Sequence, residues 1–429
     1  MKSLLCWLAS AALTAGSNAA TAPASGVEKI TPGYLRVVAE RDSRVALEIA
    51  ARSFAPTDGL GPAVTLVGVS HLGERELYDA VQELLAEHDV VLYESVKPAG
   101  AIRPGGTNDE EKRASTLEAM RFAAGVIEAS RRDGGAVATD LDAVRSFARG
   151  TDARLEQFVA DAIIDGWNRM LNYAPESDSY RLTSFGADGK PGGEGADADL
   201  TIAPGSEGPS PYQLELTGDG GIQADLARSL GLRFQLSALN YDQPNWRCSD
   251  MTMSQLEAAL GRQGADLAPL SDALAGSSLP AKIAKFMLGL VRLLDSLTQG
   301  ASTDLLKIML IEMLGNEAMI DQALQQFDPA FARVIVEDRN QVVIDEIKLM
   351  MQREPAAKRV AVLYGAAHMP DMAERLAEQM NYAETGDAIW MTAIEVDLRS
   401  TKLPPSDVRQ MRLMLRQTLR QQLDALPRR

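Results

Sequence analysis

Cysteine, histidine and long apolar runs are all scarce in this sequence. Its 429 residues include two cysteines, three histidines and 5% aromatic side chains. Cys6 falls in a leader-like start, where Lys2 precedes the short apolar stretch Leu4 to Thr14 and small residues follow through Ala22. That pattern predicts a signal segment over residues 1–22, cut near Ala19 or Ala20, and an exported chain, periplasmic or extracellular. The stretch is well short of the ~20 apolar residues that a spanning helix needs. Cys248 would then stand alone, which excludes an intramolecular disulfide and leaves a partly buried thiol as its expected state. A chain of this length buries enough surface to hold together without crosslinks.

Positive charge is also short, except at one end. The formal net charge is −16, yet residues 399–429 hold eight basic and two acidic side chains, a net of +6. The remaining body carries −22, which excludes nucleic acid as its partner, because phosphate contacts need a basic footprint. Pro404-Pro405 break the chain before this basic segment. Val408, Met411, Leu415, Leu419 and Leu426 then line one face of an amphipathic helix. Such a helix either docks on the acidic body or makes peripheral membrane contact.

Between these ends the hydropathy pattern alternates strand and helix, as in an α/β protein. Tyr34 to Val38 and Arg44 to Ala51 read as a hairpin, and Val64 to Val67 as a short strand. Leu77, Ala80, Val81, Leu84 and Leu85 share one helical face over Glu74 to Glu87, and Val90 to Tyr93 is a second buried strand. These elements belong to a first half-domain over residues 28–173. Residues 174–221 are rich in Gly, Pro, Ser and Asp and read as a surface loop, with Tyr212 to Leu216 as an edge strand. Residues 222–330 read as a helical insert. Within it, Ala281 to Leu297 is apolar but interrupted by Lys282, Lys285, Arg292 and Asp295, which marks a buried or partner-facing helix. Residues 331–398 form a second half, with a strand at Val360 to Leu363, a helix from Pro370 to Met380 and a strand at Ile389 to Val396. The predicted architecture is a mainly parallel sheet built from two related strand-Gly-x-x-His-helix-strand units.

Two of the three histidines, His71 and His368, sit three residues after a glycine, between a strand and a helix. Open α/β sheets bind ligands at the carboxyl ends of their strands, where both imidazoles should emerge. A following helix N-terminus favours neutral imidazole, the form that ligates metals and accepts protons. Glu94 ends the strand Val90 to Tyr93 and should face the same crevice. Two neutral imidazoles and a carboxylate suit zinc or a similar divalent ion, with manganese and cobalt as the other candidates. The third histidine, His88, sits at a helix end beside Asp89 and reads as structural.

Gly68-Val69-Ser70-His71, Glu94 after Val-Val-Leu-Tyr, and Gly365-Ala366-Ala367-His368 together resemble the paired motifs of the TraB/GumN/Tiki group. Asp338-Arg339-Asn340 resembles that group's E-R-N/D segment, with Asp in place of Glu. The likeness spans residues 33–170 and 330–398. It implies an α/β fold and a metal-dependent hydrolase acting on a peptide or protein, with His71 and His368 on the metal and Glu94 either a third ligand or the general base. Arg339 would then meet a substrate carboxylate or developing oxyanion, or pair with a neighbouring acid. Asn340 would orient water or cap its helix, and Tyr364 would reach substrate or pack at its strand end. Two further readings stay open. One is metal-free hydrolysis with His71 as base and Glu94 as its orienter; the other is a peptide-binding or sequestering protein without turnover.

Overall fold

A computed structural model describes residues 33–40, 43–176, 178–205, 227, 230–264, 301–315, 329–401 and 404–424. The leader over residues 1–22, the edge strand expected at Tyr212 to Leu216 and the apolar helix at Ala281 to Leu297 lie outside the described residues.

The expected hairpin is present: β1 (Leu35–Glu40) pairs antiparallel with β2 (Arg44–Pro56), with Leu35 opposite Ile49 and Glu40 opposite Arg44. Next come β3 (Ala63–Val69), the two-residue β4 (Leu72–Gly73), α1 (Arg75–Ala86) and β5 (Val90–Tyr93). Helix α1 buries Leu77, Val81 and Leu85 of the expected face, with Ala80 and Leu84 half-buried, and adds Tyr78, which the periodicity does not mark. All four residues of β5 are buried, as in a strand covered on both faces.

An inserted region follows β5. Helix α2 (Asp109–Gly134) begins where the Asn108 side chain accepts from the Glu111 N–H and ends at Gly135, whose φ is 68°. Then come α3 (Leu141–Thr151), α4 (Ala153–Ala162) and the strands β6 (Asn172–Pro175), β7 (Tyr180–Ser184) and β8 (Leu200–Ile202). These strands make a separate antiparallel sheet, although the composition of residues 174–221 reads as loop. The strands are three to five residues long and a glycine-rich connection separates β7 from β8, so loop composition outweighs strand pattern. At Gly186 the turn requires glycine: φ is 59° and an added Cβ would lie 2.5 Å from the Asp197 carbonyl oxygen. Phe122, Val126, Phe158, Val159, Tyr180 and Leu182 belong to the apolar core of this region.

The chain then returns through β9 (Arg233–Phe234), α5 (Gln235–Ala238), β10 (Trp246–Cys248) and α6 (Met253–Arg262). The segment read as a helical insert thus supplies a strand, β10, which pairs parallel with β5. Helices α7 (Ala301–Leu314) and α8 (Pro329–Ala332) follow. A wide π-helical turn (Arg333–Asp338) leads into α9 (Arg339–Arg353), then β11 (Arg359–Gly365), α10 (Met369–Met380), β12 (Tyr382–Asp397) and α11 (Pro405–Asp424).

The main sheet runs β1-β2-β3-β11-β5-β10, with β12 also paired to β2. Its centre, β3-β11-β5-β10, is parallel, and the fold is mixed α/β. Strand β11 lies between β3 and β5, so these two strands share a direction without touching. In the second unit β12 pairs antiparallel with β2, which is itself antiparallel to β3, so β12 shares the direction of β11 without pairing with it. Asn381, at φ 57°, joins α10 directly to β12, and α10 is the crossover between two strands of one direction. Val360, Val362 and Tyr364 pack under α9 and α10, while Ala361 and Leu363 face the cluster containing α1 and α7. Both faces of the centre are therefore covered, which leaves the carboxyl end of β3, β11 and β5 as the end where open α/β sheets bind ligands.

The basic C-terminal helix docks on the body. Glu312 of α7 is buried and accepts from Arg412 and Arg416 of α11, the latter at 2.7 Å, and Val408 is buried. Among the described residues no helix is long and apolar enough to cross a membrane.

Candidate functional site

The parallel register sets the site. Gly365 lies opposite Val69, and the Glu94 N–H continues the ladder onto the Leu363 carbonyl at 3.0 Å. Glu94 therefore leaves β5 beside the corner where β11 turns into a short 3₁₀ segment (Ala366–His368). The Gly365 N–H donates to Glu94 Oε2 at 2.8 Å. Arg339 Nη2 donates to Glu94 Oε1 at 2.8 Å and to Asp250 Oδ2 at 2.7 Å, and Arg339 Nε donates to Asp250 Oδ1 at 2.9 Å. The guanidinium thus holds Asp250 in a fork and Glu94 by one arm. All three side chains are at most 12% exposed, so the two carboxylates and one guanidinium form a buried cluster of net charge −1.

His368 Nε2 lies 3.8 Å from Glu94 Oε1, and its Nδ1 is 2.7 Å from Asn340 Oδ1. The Asn340 amide nitrogen donates to the His368 carbonyl at 3.0 Å and to Asp371 Oδ2 at 2.8 Å. Arg339 and Asn340 are consecutive and both buried, one reaching Glu94 and the other His368. The π-helical turn directly before them widens the helix at this point, a feature that recurs at functional sites.

Burial alone would raise the Glu94 pKa. The charges of Arg339, His368 and His71 and the Gly365 N–H outweigh it and hold the carboxyl well below the usual range. Burial lowers the His368 pKa, with Glu94 opposing and Arg339 assisting, so this imidazole is neutral near pH 7. Glu94 is consequently a poor general base and a standing negative charge beside a neutral imidazole.

His71 is exposed. Its Nδ1 is 3.0 Å from Gln235 Oε1, its carbonyl accepts the Gln235 N–H at 2.9 Å, and the β4–β9 ladder pins the segment. Of the residues marked in the sequence, Glu94, His368, Arg339 and Asn340 come into contact, whereas the bonds of His71 go to Gln235. Tyr364 lies behind the site. It is fully buried, donates its hydroxyl to the Ser249 carbonyl and meets the His368 ring edge-on at 5.3 Å. His88 is buried away from the site, between the Leu84 carbonyl and the Thr65 hydroxyl. Cys248 has its thiol 3.0 Å from the Ser95 carbonyl, and burial pushes its pKa up to about 12, which makes it inert.

Two contributors were hidden in the sequence. Asp250, within a polar stretch after β10, is the forked partner of Arg339, and Gln235 is the partner of His71. A buried carboxylate needs a cation, but Asp250 lies 89 positions from Arg339, so no local pattern pairs the two.

Arg339 on Glu94 Oε1 would place a guanidinium against any dication bound there. Among the described residues, no group of three His, Cys, Asp or Glu side chains is arranged to hold a metal ion. Arg339 itself is engaged by Asp250, Glu94 and the Ile335 carbonyl rather than directed at a substrate anion.

Comparison with known families points elsewhere than the motif resemblance. The family model that matches is type II secretion system protein G, over residues 141–203, which are α3, α4 and the β6–β8 sheet. This corrects the TraB/GumN/Tiki assignment and the metalloprotease character that came with it. No curated protein and no solved structure matches the chain.

Proposed function

We propose that the carboxyl end of the central sheet is an acid–base hydrolytic site for an uncharged ester or amide. The observation that supports it most is the His368 imidazole, kept neutral by burial, 3.8 Å from a carboxylate that Arg339 keeps ionised, at the carboxyl end of the parallel strands. His368 Nε2 would accept a proton from a water molecule, and Glu94 would stabilise the imidazolium that forms. Arg339, fixed by Asp250, keeps Glu94 in place, and His71 stands at the exposed side. The net charge of −1 disfavours phosphate or carboxylate at the reacting centre. Incubating the full chain with p-nitrophenyl acetate and a library of blocked peptide amides tests this, with and without chelator. Turnover that survives chelation and is lost in His368→Ala supports the reading. Turnover restored only by zinc, manganese or cobalt would instead favour an ion held by His71, Glu94 and His368. No turnover across the library would remove the enzymatic reading.

The likeness of residues 141–203 to a secretion-system protein supports a second role for that part, contact with a protein partner in the cell envelope. Purified type II secretion system protein G, presented to the immobilised full chain, is the direct probe, and absence of binding counts against it.

A further inference from the structure

The amide of Asn340 has only one orientation that satisfies its neighbours. Its nitrogen faces the His368 carbonyl at 3.0 Å and Asp371 Oδ2 at 2.8 Å, and both are acceptors. Turning the amide over would set its oxygen against a carbonyl and a carboxylate. Asp371 is in turn held by Arg375 Nε at 2.6 Å, so the acceptor pair is fixed in place. The Asn340 oxygen must therefore face His368 Nδ1, 2.7 Å away, and a donor is required there. In the neutral ring that puts the proton on Nδ1 and the lone pair on Nε2, toward Glu94 Oε1.

We infer that Asn340, oriented by Asp371, is a positioning residue that keeps His368 in the tautomer able to act as base at Nε2. The inference extends the proposed hydrolytic reading, but the tautomer is measurable without turnover. The opposite tautomer is the one that a bare His368–Glu94 pair would adopt, since Nε2–H could then donate to the carboxylate. Asn340 overrides that pairing and leaves two acceptors facing one another across 3.8 Å. A group lying between them must donate to both, which fits water and excludes an anion.

Nitrogen-15 spectra of histidine-labelled full-length protein at neutral pH read the ring directly. Wild type should show His368 protonated at Nδ1. Asn340→Leu should move the proton to Nε2, and Asp371→Asn, which keeps an acceptor oxygen for the Asn340 amide and for Arg375, should retain the wild-type tautomer. On any ester or amide found to be turned over, Asn340→Leu should lower kcat at least about tenfold while leaving KM nearly unchanged. A wild-type His368 protonated at Nε2, or an Asn340→Leu ring still protonated at Nδ1, overturns the inference. Absence of turnover combined with the expected tautomers overturns only the hydrolytic reading.

Discussion

The two Gly-x-x-His corners start from one local pattern and end in opposite environments. At the first, His71 is exposed, β4 and β9 pin the chain, and Gln235 faces Nδ1. At the second, His368 is buried, a 3₁₀ turn leads straight into α10, and Asn340 faces Nδ1. The glycines differ as well. A Cβ on Gly68 would come within 2.9 Å of Ile49 Cγ2 and 3.1 Å of the Ala50 oxygen, whereas on Gly365 the nearest atom is Glu94 Oε2 at 3.4 Å. Neither glycine has a positive φ. The first is required because β2 packs close against it, and the second leaves room beside the carboxylate. A shared motif thus sets where a side chain leaves the sheet, and the neighbours supplied by distant segments set its chemistry.

The largest perturbation of that contrast should come from Arg339, which serves only the buried corner. Arg339→Met leaves Glu94 and Asp250 buried without their cation and should destabilise the protein by about 3–5 kcal/mol. Denaturant unfolding measures it, and a loss below ~1 kcal/mol would show that the cluster is open to water. Replacing the histidines should separate the corners next. His368→Ala strands the Asn340 oxygen at a cost of about 1–3 kcal/mol, while His71→Ala, at an exposed position, should stay within ~0.5 kcal/mol. Equal losses in thermal melts would abolish the distinction.

The glycines sharpen the comparison further. Gly68→Ala should cost about 1–3 kcal/mol through contact with Ile49 and the Ala50 backbone. Gly365→Ala should change stability by no more than about 0.5 kcal/mol. Acid should act mildly and selectively on the buried side. The unfolded chain protonates histidine near the ordinary value of 6.5, but folded His368 and His88 resist it, because burial lowers both. Stability is therefore full above 6.5 and falls as pH drops below it. A second decline should begin below 4.5, where unfolded Glu94 takes a proton that the folded site refuses. Chemical denaturation as a function of pH, compared with His368→Ala, tests the first step. An unchanged slope between pH 6.5 and 5 in that variant would assign it elsewhere.

Much of the central sheet is legible in the sequence because burial on both faces leaves continuous apolar runs. Val90 to Tyr93 and Val360 to Leu363 are such runs, and α1 shows its periodic stripe. Strand order is not legible, since β11 enters between β3 and β5 through pairings that local pattern does not encode. Nor is β10 visible: three residues are too few to display a period of two. The site divides in the same way. His71, Glu94 and His368 announce themselves by chemistry at strand ends, as does Arg339 by its place in a polar triplet. Asp250 and Gln235 are ordinary polar residues until the fold brings them against a charge and a ring.

The central place of β11 has a temporal consequence. Strands β3 and β5 are made early in the chain, but their common partner lies 296 and 270 positions further on, so neither can complete its ladder until the C-terminal third exists. Contacts of such long range form slowly, and β3 and β5 would present open edges while the chain is incomplete. Arg339, Asn340 and His368 come from that same late third. The His368 corner therefore forms only when the sheet closes, and a truncated chain has strands exposed to aggregation without the imidazole and guanidinium that meet Glu94 in the folded protein.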